Sequence, residues 1–183
     1  MTIRAAGFYY DIENFINDNG ITAAGKLGPA LSSNCLYNID HVKLYGAELE
    51  AAIRIKDTFR ATAAYVYQEY EVDETGFEDD RWTYYLPELL PKHKVKLMAH
   101  YNVWEDGWLQ LNSRYVYERK TQSGEILDDY ITLDVGFEQK FKFDGMEYMA
   151  RCFCSNVTGT DYQEISGYEM PKHVWGFQVG VKF

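Results

Sequence analysis

From Trp175 to the final residue every second position is apolar: Trp175, Phe177, Val179, Val181 and Phe183, with Gly176, Gln178, Gly180 and Lys182 between them. A period of two puts the first set on one face of a strand and the second on the other. Seven further runs upstream alternate in the same way. Ala6, Phe8, Tyr10 and Ile12 oppose Gly7, Tyr9, Asp11 and Glu13. Tyr45, Ala47, Leu49, Ala51 and Ile53 oppose Gly46, Glu48, Glu50 and Ala52. Phe59, Ala61, Ala63, Tyr65 and Tyr67 oppose Arg60, Thr62, Ala64, Val66 and Gln68. Val95, Leu97, Ala99, Tyr101 and Val103 oppose Lys94, Lys96, Met98, His100 and Asn102, and Leu109, Leu111, Ser113, Tyr115 and Tyr117 oppose Gln110, Asn112, Arg114, Val116 and Glu118. Ile131, Leu133, Val135 and Phe137, then Phe141 and Phe143, alternate with Thr132, Asp134, Gly136, Glu138, Lys140 and Lys142. The seventh run sets Met146, Tyr148, Ala150, Cys152 and Cys154 against Glu147, Arg151 and Ser155.

The connections between these runs fall into two kinds that alternate. Tight turns at Lys56-Asp57-Thr58, Glu105-Asp106-Gly107 and Phe143-Asp144-Gly145 join runs two to three, four to five and six to seven. Two of them carry Asp-Gly, a pair that tolerates the positive φ of short hairpins. Long connections fill about residues 17–41, 71–92, 120–128 and 156–172. Short turns at one rim and long loops at the other predict an all-β, antiparallel up-and-down meander of eight strands, a small transmembrane barrel or part of one. The terminal strand, Trp175 to Phe183, is the one that would close it. A soluble eight-stranded calyx or a sandwich has the same period and stands as the alternative.

Sixteen tyrosines and four tryptophans, gathered near strand ends, suit the aromatic girdles of a membrane barrel. No stretch reaches the ~18 uninterrupted apolar residues of a spanning helix. The formal net charge of −10 argues against nucleic acid, which needs a basic footprint. Glu71, Asp73, Glu74, Glu78, Asp79, Asp80 and Glu88 concentrate acid in one long connection. A solvated loop is the plain reading; cation capture, or divalent ions bridging to lipopolysaccharide, is the other. Cys35, Cys152 and Cys154 make no disulfide framework, and strand positions two apart cannot easily bridge. Met1-Thr-Ile-Arg runs straight into strand-like sequence without a signal peptide, so an outer-membrane destination requires one upstream.

Three segments resemble the carboxy-terminal part of a TonB-dependent outer-membrane receptor. Asn38-Ile39-Asp40-His41-Val42-Lys43-Leu44-Tyr45-Gly46-Ala47-Glu48-Leu49-Glu50 is similar to the family's stretch running into a "G-x-E-x-E" strand. Leu86-Pro87, with Pro91-Lys92-His93-Lys94-Val95, is similar to the proline and basic pair that opens a later strand. Asn156-Val157-Thr158-Gly159-Thr160-Asp161-Tyr162, then Gly167-Tyr168-Glu169-Met170-Pro171, Trp175 and Phe183, resembles the family's ending. It departs at Gly159, where an acid is common, and at Lys172-His173, where Gly-Arg is usual. The resemblance implies a single segment over 1–183 matching the last eight strands of a receptor, without plug, TonB box or signal peptide, and so unable to transport alone. It also implies uptake of a scarce chelate: an iron–siderophore first, cobalamin or haem otherwise. The partners implied are outer-membrane lipid and lipopolysaccharide, the metal-chelate ligand, TonB through an amino-terminal part, and the barrel-assembly machinery at the terminal strand.

No catalytic constellation is present. His41, His93, His100 and His173 have no ligand spacing, there is no nucleophile elbow or phosphate loop, and no cofactor is expected. Trp82, Tyr84, Tyr85 and Tyr168 are the loop aromatics placed to contact a ligand. Glu48, Glu50, Arg60, Lys96, His100, Arg114, Asp134 and Glu138 are the candidate lumen-facing residues. Glu48 and Glu50 read as counter-charges for Arg60 or Lys96 rather than as an acid–base pair.

Overall fold

A computed structural model describes residues 1–18, 36–73, 90–120 and 126–182. In chain order its strands are β1 (Thr2–Asp18), β2 (Leu36–Ile55), β3 (Phe59–Asp73), β4 (His93–Trp104), β5 (Gly107–Tyr117), β6 (Arg119–Lys120) and β7 (Ile126–Leu127). They continue as β8 (Tyr130–Phe143), β9 (Met146–Ser155), β10 (Gln163–Ile165), β11 (Tyr168–Glu169) and β12 (Val174–Lys182). Eight of them form one antiparallel sheet in the order β1-β2-β3-β4-β5-β8-β9-β12, the meander that the alternation predicts. The four short strands pair as two ribbons within long connections, β6 with β7 and β10 with β11. Among the described residues β1 and β12 are the two edges and do not pair with each other.

Residues opposite one another in the ladder share a face, so the register assigns both faces of the whole sheet. One row runs Ile3, Ala51, Ala63, Leu97, Ser113 and Leu133. On the other face a row runs Arg4, Glu50, Ala64, Lys96, Arg114 and Thr132. The register corrects the expectation for β1. Phe8 lies opposite Gly46 and Ala6 opposite Glu48, so Ala6, Phe8, Tyr10 and Ile12 belong to the polar face. Ile3, Ala5, Gly7 and Tyr9 take the apolar one. The strand is apolar on both sides at its start, and the neighbour's register decides where its own pattern cannot.

β1, β2 and β3 also run further into the long connections than the apolar alternation does, to Asp18, from Leu36 and to Asp73. Ladder hydrogen bonds continue in water, where no face has to be apolar.

The short turns differ from one another. Asp144 and Gly145 both have positive φ, 50° and 76°, the signature of a type I′ hairpin. In the other Asp-Gly pair the positive φ is at Asp106 alone, and Gly107 is already a strand residue paired with Trp104. A Cβ on Gly107 would lie 2.6 Å from the Trp104 indole nitrogen, so this glycine makes room for a ring.

The apolar face carries two aromatic bands. Near the short turns, Trp104 lies 5.2 Å from Phe137 and Phe141 lies 5.4 Å from Tyr148, ring to ring. Near the long connections, His93 sits 5.3 Å from both Tyr67 and Tyr117, and Tyr115 is 6.2 Å from Tyr117. The eleven residues of β5 link the two bands. At a tilt of about 45° they rise about 25 Å, the height of a bilayer's apolar band. Between the bands, Ala51, Ala61, Ala63 and Ala99 floor a groove of about 470 Å3 walled by Leu97 and Leu111.

On the polar side Gly46 leaves no room for a side chain. A Cβ there would overlap the Tyr67 carbonyl oxygen and come within 2.6 Å of the Phe8 ring. Backbone cannot yield as a side-chain tip can. Gly46→Val is expected to destabilise the fold by about 1–3 kcal/mol, read as a lower urea midpoint in detergent. Gly7→Ala, with nothing nearer than 3.8 Å, is the matched control and should leave the midpoint nearly unchanged.

Candidate functional site

The face opposite the apolar one is polar, and its charges are unevenly paired. Arg4 donates to Glu50 at 2.6 Å across β1 and β2. Glu50 therefore has its counter-charge on β1, and neither Arg60 nor Lys96 supplies it. Arg60 instead lies over the Trp108 ring, 5.1 Å from its centre. His100 is half-buried on the same face, opposite Arg60 on one side and Gln110 on the other. Arg151 donates to the Gln110 side-chain oxygen at 3.0 Å and lies over Phe153. Glu138 pairs with Lys140 at 3.7 Å.

The chain between β9 and β12 crosses this face as a strap. Its anchor is Asn156, only 3% exposed and held at φ 51°. The Asn156 backbone amide donates to Asp134 at 2.8 Å. Its side-chain amide donates to the carbonyls of Thr160 at 2.8 Å and Pro171 at 3.4 Å, while its side-chain oxygen accepts from the Thr160 amide at 3.0 Å. One side chain thus ties the first and last parts of the strap together. Lys172 and Asp161 pair at 2.9 Å, which holds the ammonium above its usual range through the hydrogen bond. Both groups are exposed, and such a pair adds little to stability.

Beyond the anchor the strap dips to the sheet. Tyr162 packs on Tyr130 with centroids 4.4 Å apart, and Glu164 pairs with Arg114 at 2.8 Å. Arg119, 3% exposed, donates to the carbonyls of Glu164 at 3.1 Å and Asp128 at 3.2 Å. It lies 4.8 Å over the Tyr130 ring. The β10–β11 ribbon then turns outward through Gly167 at φ 84°, leaving Tyr168 at its tip 71% exposed.

The residues singled out from the sequence therefore fall in different places. Glu48, Glu50, Arg60, Lys96, His100, Arg114, Asp134 and Glu138 share one face. Tyr168 is on the strap. Trp82, Tyr84 and Tyr85 lie outside the described residues, as does Phe183. Trp175, Phe177, Val179 and Val181 project from edge strand β12 on the apolar face, all exposed. Tyr130, Arg119, Tyr162, Glu164 and Asn156 were not singled out for this face. An asparagine at the end of a strand is the one signal for the anchor, since asparagine enters the left-handed region more readily than most residues.

At the loop-side end of the apolar face a second polar group stands beside the aromatic band. Lys92 bridges Glu69 at 3.1 Å and Glu118 at 3.6 Å, and Tyr67 donates to Glu69. The hydrogen bond to Glu69 raises the Lys92 ammonium above its ordinary value, and the Glu118 charge adds to it. Among the described residues no group of three His, Cys, Asp or Glu side chains could hold a metal ion. Cys152 and Cys154 are free thiols.

The strap packs over the polar face of a one-sheet meander, and the family comparison decides what this arrangement belongs to. The family described as "TonB dependent receptor-like, beta-barrel" matches residues 1–158. The chain belongs to that family. Its members are transport receptors and not enzymes, and their barrels lie in the outer membrane. Among solved structures this TonB-dependent barrel is similar to the ferric preacinetobactin receptor BauA from Acinetobacter baumannii, at 17% identity and a TM-score of 0.70 over 99% of this chain and 27% of that one. It is similar to the copper transporter OprC at 15% identity and a TM-score of 0.68, over 97% of this chain and 28% of that one. It is similar also to the ferric-catecholate import receptor Fiu from K12 E. coli, at 18% identity and a TM-score of 0.60 over 98% and 24%. The chain spans about a quarter of the length of these receptors. No curated protein matches it by sequence.

Proposed function

We propose that the chain is the wall segment formed by the last eight strands of an outer-membrane receptor that imports a scarce metal chelate, an iron–siderophore before cobalamin or haem. The observation that carries this reading is the two-sided sheet. An apolar face about 25 Å high between aromatic bands fits lipid, and a charged face crossed by a strap fits a solvated lumen. Glu48, Glu50, Arg60, Lys96, His100, Arg114, Asp134 and Glu138 then line the lumen, and Trp82, Tyr84, Tyr85 and Tyr168 lie at the outer mouth where a ligand arrives. The ferric ligands of the receptors BauA and Fiu support iron, and the copper transporter OprC keeps copper in view.

In this reading the loop-side band with Lys92 meets lipopolysaccharide, and the barrel-assembly machinery engages the terminal strand from Trp175 to Phe183. TonB acts only through a plug-bearing amino-terminal part. The free edges of β1 and β12 favour a wall of a wider barrel over a closed eight-stranded cylinder, because edge donors and acceptors in lipid must be paired.

The test has two parts. The chain should fold only with detergent and show a heat-dependent gel shift; a soluble monomer without detergent would make it a calyx. Deleting its gene should lower uptake of radiolabelled ferric siderophore by iron-starved cells, and unchanged uptake of every chelate offered would remove the importer.

A further inference from the structure

On the polar face Lys94, Lys96 and Arg114 lie together, with one acid in ion-pair contact with them. Lys96 and Arg114 are direct cross-strand partners on β4 and β5, a spacing of about 5 Å between their Cβ atoms. Lys94 follows two residues along the same face of β4. Like charges set directly opposite destabilise a sheet, so such a pair needs a counter-ion nearby. The flanking positions offer none: Ala64 and Val66 on β3, Val116 on β5 and Thr132 on β8 are the ladder neighbours of Lys96, Lys94 and Arg114. Glu50, one strand further, is engaged by Arg4; Glu48 lies beyond Val66 in the row of Lys94, and Asp134, diagonal to Arg114, accepts the Asn156 amide. Among the described residues the only carboxylate in ion-pair contact with the cluster is Glu164, which reaches Arg114 from the strap. Arg119 beside it is satisfied by carbonyls and does not draw on that acid.

We propose that Lys94, Lys96 and Arg114 form a seat for a small, multiply anionic chelate, and that Glu164 is an internal stand-in for one of its carboxylates. Two positive charges remain after Glu164 is counted, which selects a ligand with two or more negative charges over a neutral or cationic one. The seat opens toward the long connections, because β4 begins at His93 and β5 ends at Tyr117 on that side. A ligand displacing Glu164 breaks one of the contacts that hold the strap down, so occupancy of the seat and strap position are linked. The proposal rests on reading the polar face as a lumen.

The test is equilibrium dialysis of radiolabelled citrate against the whole chain folded in detergent, with uncharged trimethyl citrate as competitor control. Lys94 and Lys96 make no ion pair with the strap, so Lys94→Gln/Lys96→Gln should keep the heat-shifted band and lose citrate binding. Glu164→Gln should bind citrate roughly fivefold more tightly, the effect of removing one competing charge. Binding unchanged in the double lysine variant, competition by trimethyl citrate, or no tightening in Glu164→Gln would each overturn the seat. Uptake plays no part in this measurement. A chain that binds citrate but never enters a membrane would refute the importer and keep the seat, and a membrane-inserted chain that binds none would do the reverse.

Discussion

Leu97→Arg should lower the stability of the chain folded in lipid vesicles by about 2–4 kcal/mol, while Met98→Arg shifts it by less than about 0.5 kcal/mol. The two positions are adjacent on β4, and both side chains are about half exposed. Only the face differs. Leu97 stands opposite Ala63 and Ser113 in the middle of the apolar face, where it walls the alanine-floored groove. Met98 stands opposite Thr62 and Asn112 on the polar face. A guanidinium at Leu97 must reach past one of the aromatic bands before it meets water, four residues away even on the nearer side at His93. At Met98 it joins a solvated surface. The measurement is urea unfolding in vesicles followed by tryptophan fluorescence. Equal costs at both positions would mean that neither face meets lipid, and a soluble sandwich would then be the better account.

Asn156→Ala is expected to free the strap at a cost of about 2–4 kcal/mol to its local stability, without unfolding the sheet. Four hydrogen bonds of the side chain disappear at once: those to the Thr160 and Pro171 carbonyls and those from the Thr160 amide and the Thr158 hydroxyl. Alanine at φ 51° adds about 1–2 kcal/mol of backbone strain. Trypsin should then cut after Lys172 much faster than in the native chain, while the heat-dependent gel shift persists. Asn156→Asp keeps the acceptor and loses the donor, so its cutting rate should fall between the two. Cutting at the native rate in Asn156→Ala would show that the Arg114–Glu164 and Tyr130–Tyr162 contacts hold the strap unaided.

Alternation made most of the sheet legible, because a strand buried on one face must repeat every second residue and here the short turns fix the hairpin registers. Ambiguity entered where both faces are apolar. In β1, Ile3 and Ala5 compete with Phe8 and Ile12, and only pairing with Glu48 and Gly46 resolves them. The ion pairs were not legible either. Glu50 has Arg4 as its partner, a contact 46 residues away in sequence that depends on the register of a strand with a misleading pattern. The strap was hidden for another reason. Its order comes from Asn156, Arg119, Tyr130 and Tyr162, none of which falls in an alternating run, together with Arg114 of β5, whose partner on the strap the run does not show.

The alternation of turns also has a temporal meaning. β2–β3, β4–β5 and β8–β9 are hairpins whose strands are joined by only a few residues, so each can zip from its own turn at little loop-closure cost. Among the described residues β1 reaches β2 across residues 19–35, and β12 reaches β9 only after the whole strap. Non-local closures of this kind come late. Within the described sheet three hairpins are thus flanked by two strands that join late, and those strands are its edges. Whatever pairs with β1 and β12 from outside must compete with, or wait for, the slowest steps of the chain's own assembly.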